Sequence, residues 1–180
     1  MNFNATVLIL PGLGNSGEKH WQTLWEEQYP EFIRVQQRDW ETPVCDDWIS
    51  TLDKRITELG TDNIILVGHS LACATIAFWG KRYKRKIKGA LLVAPSDTEA
   101  PSYPPGTTGF TPVPLDKLPF PSIAVASTND FYVTHERAAF FAEKWGSKLI
   151  FVGDAGHINV ASGFGVWPQG IEFLKELDRV

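Results

Sequence analysis

Cysteine and methionine are scarce in this sequence, and neither sign of charge dominates it. Only Cys45 and Cys73 occur among 180 residues, with a single methionine. The two cysteines share no short metal-type spacing. A disulfide framework is therefore not expected, and a reducing compartment is favoured. The 17 basic and 21 acidic side chains leave a net charge of −4, which is no electrostatic footprint for nucleic acid or an acidic membrane. The one local exception, Lys81, Arg82, Lys84, Arg85 and Lys86, reads as the solvated end of a helix, where cations suit the negative pole of the dipole. No apolar run is long enough to span a bilayer. The stretch from Met1 to Pro11 lacks the basic flank and the apolar length of a signal peptide. The expectation is a cytoplasmic chain with no nucleic-acid or membrane partner. Repeats, linkers and a second compositional segment are also missing, so residues 1–180 are expected to form one domain.

What is present is an alternation of short apolar runs with longer amphipathic stretches. Strands are expected at Thr6–Leu10, Ile33–Gln36 (weakly), Asn63–Val67, Gly89–Val93, Ser122–Ala126 and Lys148–Val152. Helices are expected at His20–Tyr29, Asp46–Leu59, Leu71–Tyr83, Thr134–Trp145 and Gly170–Leu177, the last entered through Pro168. The strands are apolar throughout rather than alternating, as expected when both faces of a parallel sheet are covered. The pattern is that of a doubly wound α/β fold with about six mostly parallel strands. The stretch Pro95–Pro121 breaks it, being rich in Pro, Gly, Ser and Thr without periodicity. It is either a long surface connection or a lip over a site.

The sharpest chemical signal is Asn63-Ile64-Ile65-Leu66-Val67-Gly68-His69-Ser70-Leu71-Ala72. An apolar strand runs into Gly-x-Ser-x-Ala and then into a helix. A serine on such a strand-to-helix turn is exposed at the sheet edge, and the residues two before and two after it must be small. Gly68 and Ala72 meet that need. The turn would aim the Leu71 N–H and the positive end of the helix at a developing oxyanion. A plain capping serine gives the same local string, so the reading depends on a base and an acid elsewhere.

An alcohol needs an adjacent base to act as a nucleophile at neutral pH. Of the four histidines, His20 opens a helix, His69 lies inside the turn and should point away from the Ser70 hydroxyl, and His135 lies early in a later helix. His157 follows the last apolar strand, in Gly153-Asp154-Ala155-Gly156-His157, on the edge where such folds carry their sites. It is the candidate base, with Gly156 letting the loop turn sharply. The candidate acid is Asp130, which follows the strand Ser122–Ala126 and completes the chain order Ser, acid, His. Asp97 is the rival acid, and Asp154 reads as a turn residue. The loop Pro11-Gly12-Leu13-Gly14-Asn15-Ser16-Gly17 should supply the second oxyanion donor, with the Leu13 N–H as candidate. The same glycines could cradle a phosphate, but no P-loop lysine-serine pair follows. Trp40, Phe110, Phe131 and Trp167 lie in or near loops that could line a site, or are packing residues. Chemistry at Cys73 is a poor reading, because it falls one turn into a buried helix.

Together, Pro11-Gly12-Leu13-Gly14-Asn15, His20-Trp21-Gln22, Gly68-His69-Ser70-Leu71-Ala72, Pro95-Ser96-Asp97, Phe120-Pro121-Ser122, Ala126-Ser127-Thr128-Asn129-Asp130, Trp145-Gly146-Ser147, Gly153-Asp154-Ala155-Gly156-His157-Ile158-Asn159 and Ser162-Gly163-Phe164-Gly165-Val166-Trp167-Pro168 resemble the small serine hydrolase family. That family includes the retinoblastoma-binding-protein type and bacterial relatives of similar length. The resemblance implies a compact α/β-hydrolase sandwich without the first two strands and without a large cap domain. It implies a triad of Ser70, Asp130 and His157 and hydrolysis of simple carboxylic esters. A chain this short has little room for a lid, so small acyl groups are expected; acyl transfer by the triad needs no metal or organic cofactor, and a thioesterase or amidase would use the same machinery. Ala72 stands where Gly is more usual. Members of the family are also associated with protein partners, so the alternative is an interaction module on a hydrolase scaffold. The Leu-x-Cys-x-Glu type of motif tied to retinoblastoma binding does not occur here.

Overall fold

The computed structural model describes residues 3–180. Six strands form one sheet: β1 (Thr6–Leu10), β2 (Ile33–Arg34), β3 (Ile64–His69), β4 (Gly89–Val93), β5 (Ser122–Ala126) and β6 (Lys148–Phe151). All neighbouring pairs are parallel, in the order β2-β1-β3-β4-β5-β6. Five helices cover it: α1 (Trp21–Gln28), α2 (Cys45–Leu59), α3 (Leu71–Tyr83), α4 (His135–Trp145) and α5 (Pro168–Arg179).

The period-two geometry of a strand explains the three layers. Leu8, Leu10 and Leu66 point to one face and share its core with Trp48 and Leu52 of α2, Ile76 and Trp79 of α3, and Phe141 and Trp145 of α4. Val7, Ile9, Ile65 and Val67 point to the other, under Trp21 and Trp25 of α1 and Leu174 and Leu177 of α5. Both faces are covered, which is why the strands read as unbroken apolar runs. The arrangement is an α/β-hydrolase sandwich with no cap domain among the described residues.

The differences from the expected elements lie at their ends. The second strand shrinks to Ile33–Arg34 at the sheet edge. α1 begins one residue later than expected because His20 is its N-cap, its Nδ1 accepting from the Gln22 N–H at 3.2 Å. α5 begins at Pro168 rather than Gly170 and runs to Arg179, since proline at the first helical position loses no hydrogen bond. A short 3-10 turn, Val160–Ser162, was not foreseen. Near the end of α5, the buried Asp178 carboxylate accepts the Asn4 and Ala5 N–H groups at 2.8 and 2.9 Å, tying α5 to the entry of β1.

The basic run follows its surface reading: Lys81 pairs with Asp116, Arg82 with Asp46 and Arg85 with Asp53. Among the described residues no helix is long and apolar enough to cross a membrane. The strand order reverses between β1 and β3, so the loops leaving them part to opposite sides. A cleft opens there, at the carboxyl ends of the strands.

Candidate active site

The local geometry of Ser70 follows from its place between β3 and α3. Its backbone sits at φ 58°, ψ −122°, a left-handed conformation that costs a non-glycine residue about 1–3 kcal/mol. The turn is held by the Ser70 N–H donating to Val93 O at 2.9 Å and the Cys73 N–H donating to Ser70 O at 3.0 Å. Small neighbours are obligatory. A Cβ on Gly68 would lie 2.7 Å from Ile76 Cδ1, and one on Gly12 would lie 2.8 Å from His69 O and 2.9 Å from Ser70 Cβ. The loop after β1 therefore rests backbone-to-backbone on the turn. Among the described residues, neither the Leu13 nor the Leu71 N–H donates a hydrogen bond. Leu13 lines the cleft beside Ser70, whereas Leu71 is fully buried at the start of α3.

Three loops then converge on the serine. His157 Nε2 is 2.8 Å from Ser70 Oγ, and His157 Nδ1 is 2.8 and 3.0 Å from the two Asp130 oxygens. The Asp130 side chain is fully buried, and its Oδ1 also accepts the Tyr132 N–H at 2.8 Å. Acid and base loops are pinned to each other: Gly156 N–H donates to Asn129 Oδ1 at 2.7 Å and Ala155 N–H to Ser127 Oγ at 2.9 Å. Gly156 has φ 52°, and a Cβ there would lie 2.4 Å from Ser162 Oγ. The Ser162 hydroxyl in turn accepts the His157 N–H at 3.1 Å.

The His157 ring lies between Tyr132 (centroids 4.6 Å apart) and His69 (4.9 Å). His69 Nε2–H donates to the His157 carbonyl at 2.9 Å. Its ring also meets His20 at 4.8 Å. Burial, first, and then the charges on His157 and His20 hold His69 well below the usual imidazole range. Burial, then Arg34 and His157, lower His20 from 6.5 to about 4. The two histidines behind His157 are therefore neutral supports near neutral pH.

The rival residues are otherwise engaged. Asp97 is held by Arg137 through bonds of 2.8 and 3.1 Å, and Asp154 accepts from Thr128 Oγ1 at 2.6 Å. Burial pushes the Cys73 thiol up, away from the thiolate form its chemistry would need. Of the four loop aromatics, Phe110 and Trp167 are buried in the core, Trp40 packs on Trp48, and Phe131 is exposed. None of them lines the cleft. Its walls include Tyr132 and, from the 95–121 stretch, Ser96, Tyr103 and Pro104. That stretch therefore contributes a lip to the site. The cleft measures about 180 Å³, and no Lys, Arg, Asp or Glu is among its described lining residues. Among the described residues, no three His, Cys, Asp or Glu side chains are grouped to hold a metal ion.

Residues missed by sequence reasoning are Tyr103, Tyr132, His20 and, above all, Ser96, whose Oγ lies 2.7 Å from Ser70 Oγ. A signal for Ser96 existed: it follows β4 at the same sheet edge as Ser70 follows β3.

The family model described as serine hydrolase matches residues 7–176. A solved structure described as a YdeN-like hydrolase from Pectobacterium atrosepticum is 31% identical, with a TM-score of 0.85 over 97% of this chain and 91% of that one. The ydeN gene product from B. subtilis is 20% identical, with a TM-score of 0.83 over 98% and 100%. An esterase from Thermogutta terrifontis, 15% identical with a TM-score of 0.71 over 99% and 92%, shares the fold. No match was found among curated proteins.

Proposed function

The chain belongs to the serine hydrolase family, and from that premise we propose that it hydrolyses small, uncharged carboxylic esters through a Ser70–His157–Asp130 triad. One observation carries this reading: an unbroken hydrogen-bond chain from Asp130 through His157 to Ser70 Oγ, with links of 2.8 Å. It opens on a cleft without charged lining residues. The esterase from Thermogutta terrifontis with the same fold supports the choice of ester chemistry.

Asp130 accepts the Nδ1 proton, so Nε2 is the basic nitrogen. As Ser70 Oγ attacks the ester carbonyl, its proton passes to Nε2. The Leu71 and Leu13 N–H groups receive the carbonyl oxygen as it becomes an oxyanion. The intermediate collapses with cleavage of the bond to the alcohol oxygen, which takes the proton from Nε2. Water repeats the sequence on the acyl-enzyme: it gives a proton to Nε2, bonds to the acyl carbon, and Ser70 leaves with that proton. A cleft of about 180 Å³ is below the range of about 300–1,000 Å³ usual for drug-sized ligands, which argues for short acyl groups.

The test is a panel of p-nitrophenyl esters of increasing acyl length, with wild type and Ser70→Ala. Turnover highest on acetate, and lost in the variant, is expected. Turnover that persists in Ser70→Ala would remove Ser70 from the mechanism, and a preference for long acyl chains would refute the size argument.

A further inference from the structure

We propose that Ser96 is a second catalytic serine, which donates a hydrogen bond to Ser70 Oγ and thereby helps that oxygen leave during deacylation. The inference rests on the ester-hydrolase reading above and deepens it.

The direction of the hydroxyl contact follows from the rest of the relay. Both Asp130 oxygens face His157 Nδ1, so the proton of the neutral ring sits on Nδ1 and Nε2 accepts. Ser70 Oγ, 2.8 Å from Nε2, must spend its one proton there. In the 2.7 Å contact between the two hydroxyls, Ser96 is then the donor. Ser70 Oγ is thus held from two sides, donating to His157 and accepting from Ser96.

The position of Ser96 is built rather than incidental. The residue is only 3% exposed, yet it lines the cleft. It lies three residues beyond β4, after Ala94 at φ 47° and Pro95. The Ala94 N–H donates to Val125 O at 2.8 Å and the Asp97 N–H to Tyr132 O at 2.9 Å. The Asp97 carboxylate is clamped by Arg137, and Thr98 Oγ1 donates to Phe110 O at 2.7 Å. These anchors on both sides fix the backbone that carries the Ser96 side chain.

Ser70 Oγ has two tasks. It is a nucleophile in acylation and a leaving group in deacylation. A donor on an oxygen lowers its nucleophilicity but stabilises it as a departing alkoxide, so one contact has opposite effects on the two halves. In deacylation the bond from water oxygen to the acyl carbon forms and the bond from that carbon to Ser70 Oγ breaks. The electron pair returns to Oγ, which takes the proton water gave to Nε2, while Ser96 keeps its own proton. The Ser96 bond strengthens as charge gathers on Oγ, because charge-assisted hydrogen bonds are the stronger kind.

The experiment compares wild type, Ser96→Ala and Ser96→Thr in rapid mixing with p-nitrophenyl acetate, with melting temperature as the check on folding. Expected in Ser96→Ala is a burst of nitrophenolate equal to the enzyme concentration, followed by a steady state about tenfold slower than wild type, the worth of one hydrogen bond at the reacting oxygen. Ser96→Thr, which keeps the hydroxyl, should restore most of the rate. A merely structural role would lower burst and steady state together. An Ala variant that turns over like wild type, or is impaired only in the burst, would overturn the role of Ser96 and leave the ester-hydrolase reading standing. A wild type that does not turn over the ester at all would instead overturn that reading, and this one with it.

Discussion

The buried His20 ring should make folding stability pH-dependent in a way that one substitution removes. His20 is 6% exposed, and its Nδ1 caps α1 by accepting the Gln22 N–H. That bond requires an unprotonated Nδ1. Burial, with the Arg34 and His157 charges behind it, lowers the pKa from 6.5 to about 4. The folded protein thus refuses a proton that the unfolded chain accepts below about pH 6.5. Stability linked to His20 is fully present above that value, declines as the pH falls, and stops declining near pH 4, where the folded protein also takes the proton. Over the whole shift the loss is about 3 kcal/mol, and by about pH 5 it is about 2 kcal/mol. The perturbation is His20→Asn, which keeps a capping acceptor without the titration. Urea unfolding of both proteins at about pH 7.5 and about pH 5 gives the comparison. Contributions from the carboxylates and from His69 are common to both and largely cancel. Wild type should lose about 2 kcal/mol more than the variant between the two conditions. An equal loss in both would refute the claim that His20 is held neutral.

Asp130→Asn should cut fluorophosphonate labelling and ester turnover by about a thousandfold or more, since an amide cannot fix the His157 tautomer. Asp97→Asn should leave labelling in place and lower stability by about 2 kcal/mol through the weakened Arg137 pair; the reverse pattern would make Asp97 the acid. Gly12→Ala should cost about a hundredfold in turnover, because its Cβ would lie 2.8 Å from His69 O and 2.9 Å from Ser70 Cβ, and unchanged turnover would show that the loop yields freely.

The sequence was most legible where position at the sheet edge follows chain order. Ser70, Asp130 and His157 each come after an apolar run that could only be a covered parallel strand, so their convergence at one sheet edge followed from topology. Contacts between side chains of different loops were not legible. Nothing local in Pro95-Ser96-Asp97 says that Arg137, forty residues on, holds Asp97, or that Ser96 meets Ser70. Which aromatic residues reach the cleft was not legible for a related reason. Phe110 and Trp167 sit in irregular segments, but both are pulled under the layers by apolar burial, while Tyr103 and Tyr132 keep a polar tip and remain at the cleft. Helix ends moved by a residue or two, because His20 and Pro168 act at the boundary through capping and backbone chemistry rather than through periodicity.

The contact of Gly12 with the turn at Ser70 divides the site into two parts of different mechanical character. Sheet-borne backbone carries Ser70 and the N–H groups beside it, and the close approach of Gly12 holds the two loops against each other. Tyr103 and Pro104 belong instead to the long stretch outside the sheet, whose irregular backbone can change length or composition without altering strand register. On the ester-hydrolase reading, substrate preference would then belong to an exchangeable rim around a fixed reaction centre. Replacing the segment around Tyr103 should re-shape what the cleft admits while the rate of fluorophosphonate attack on Ser70 stays the same.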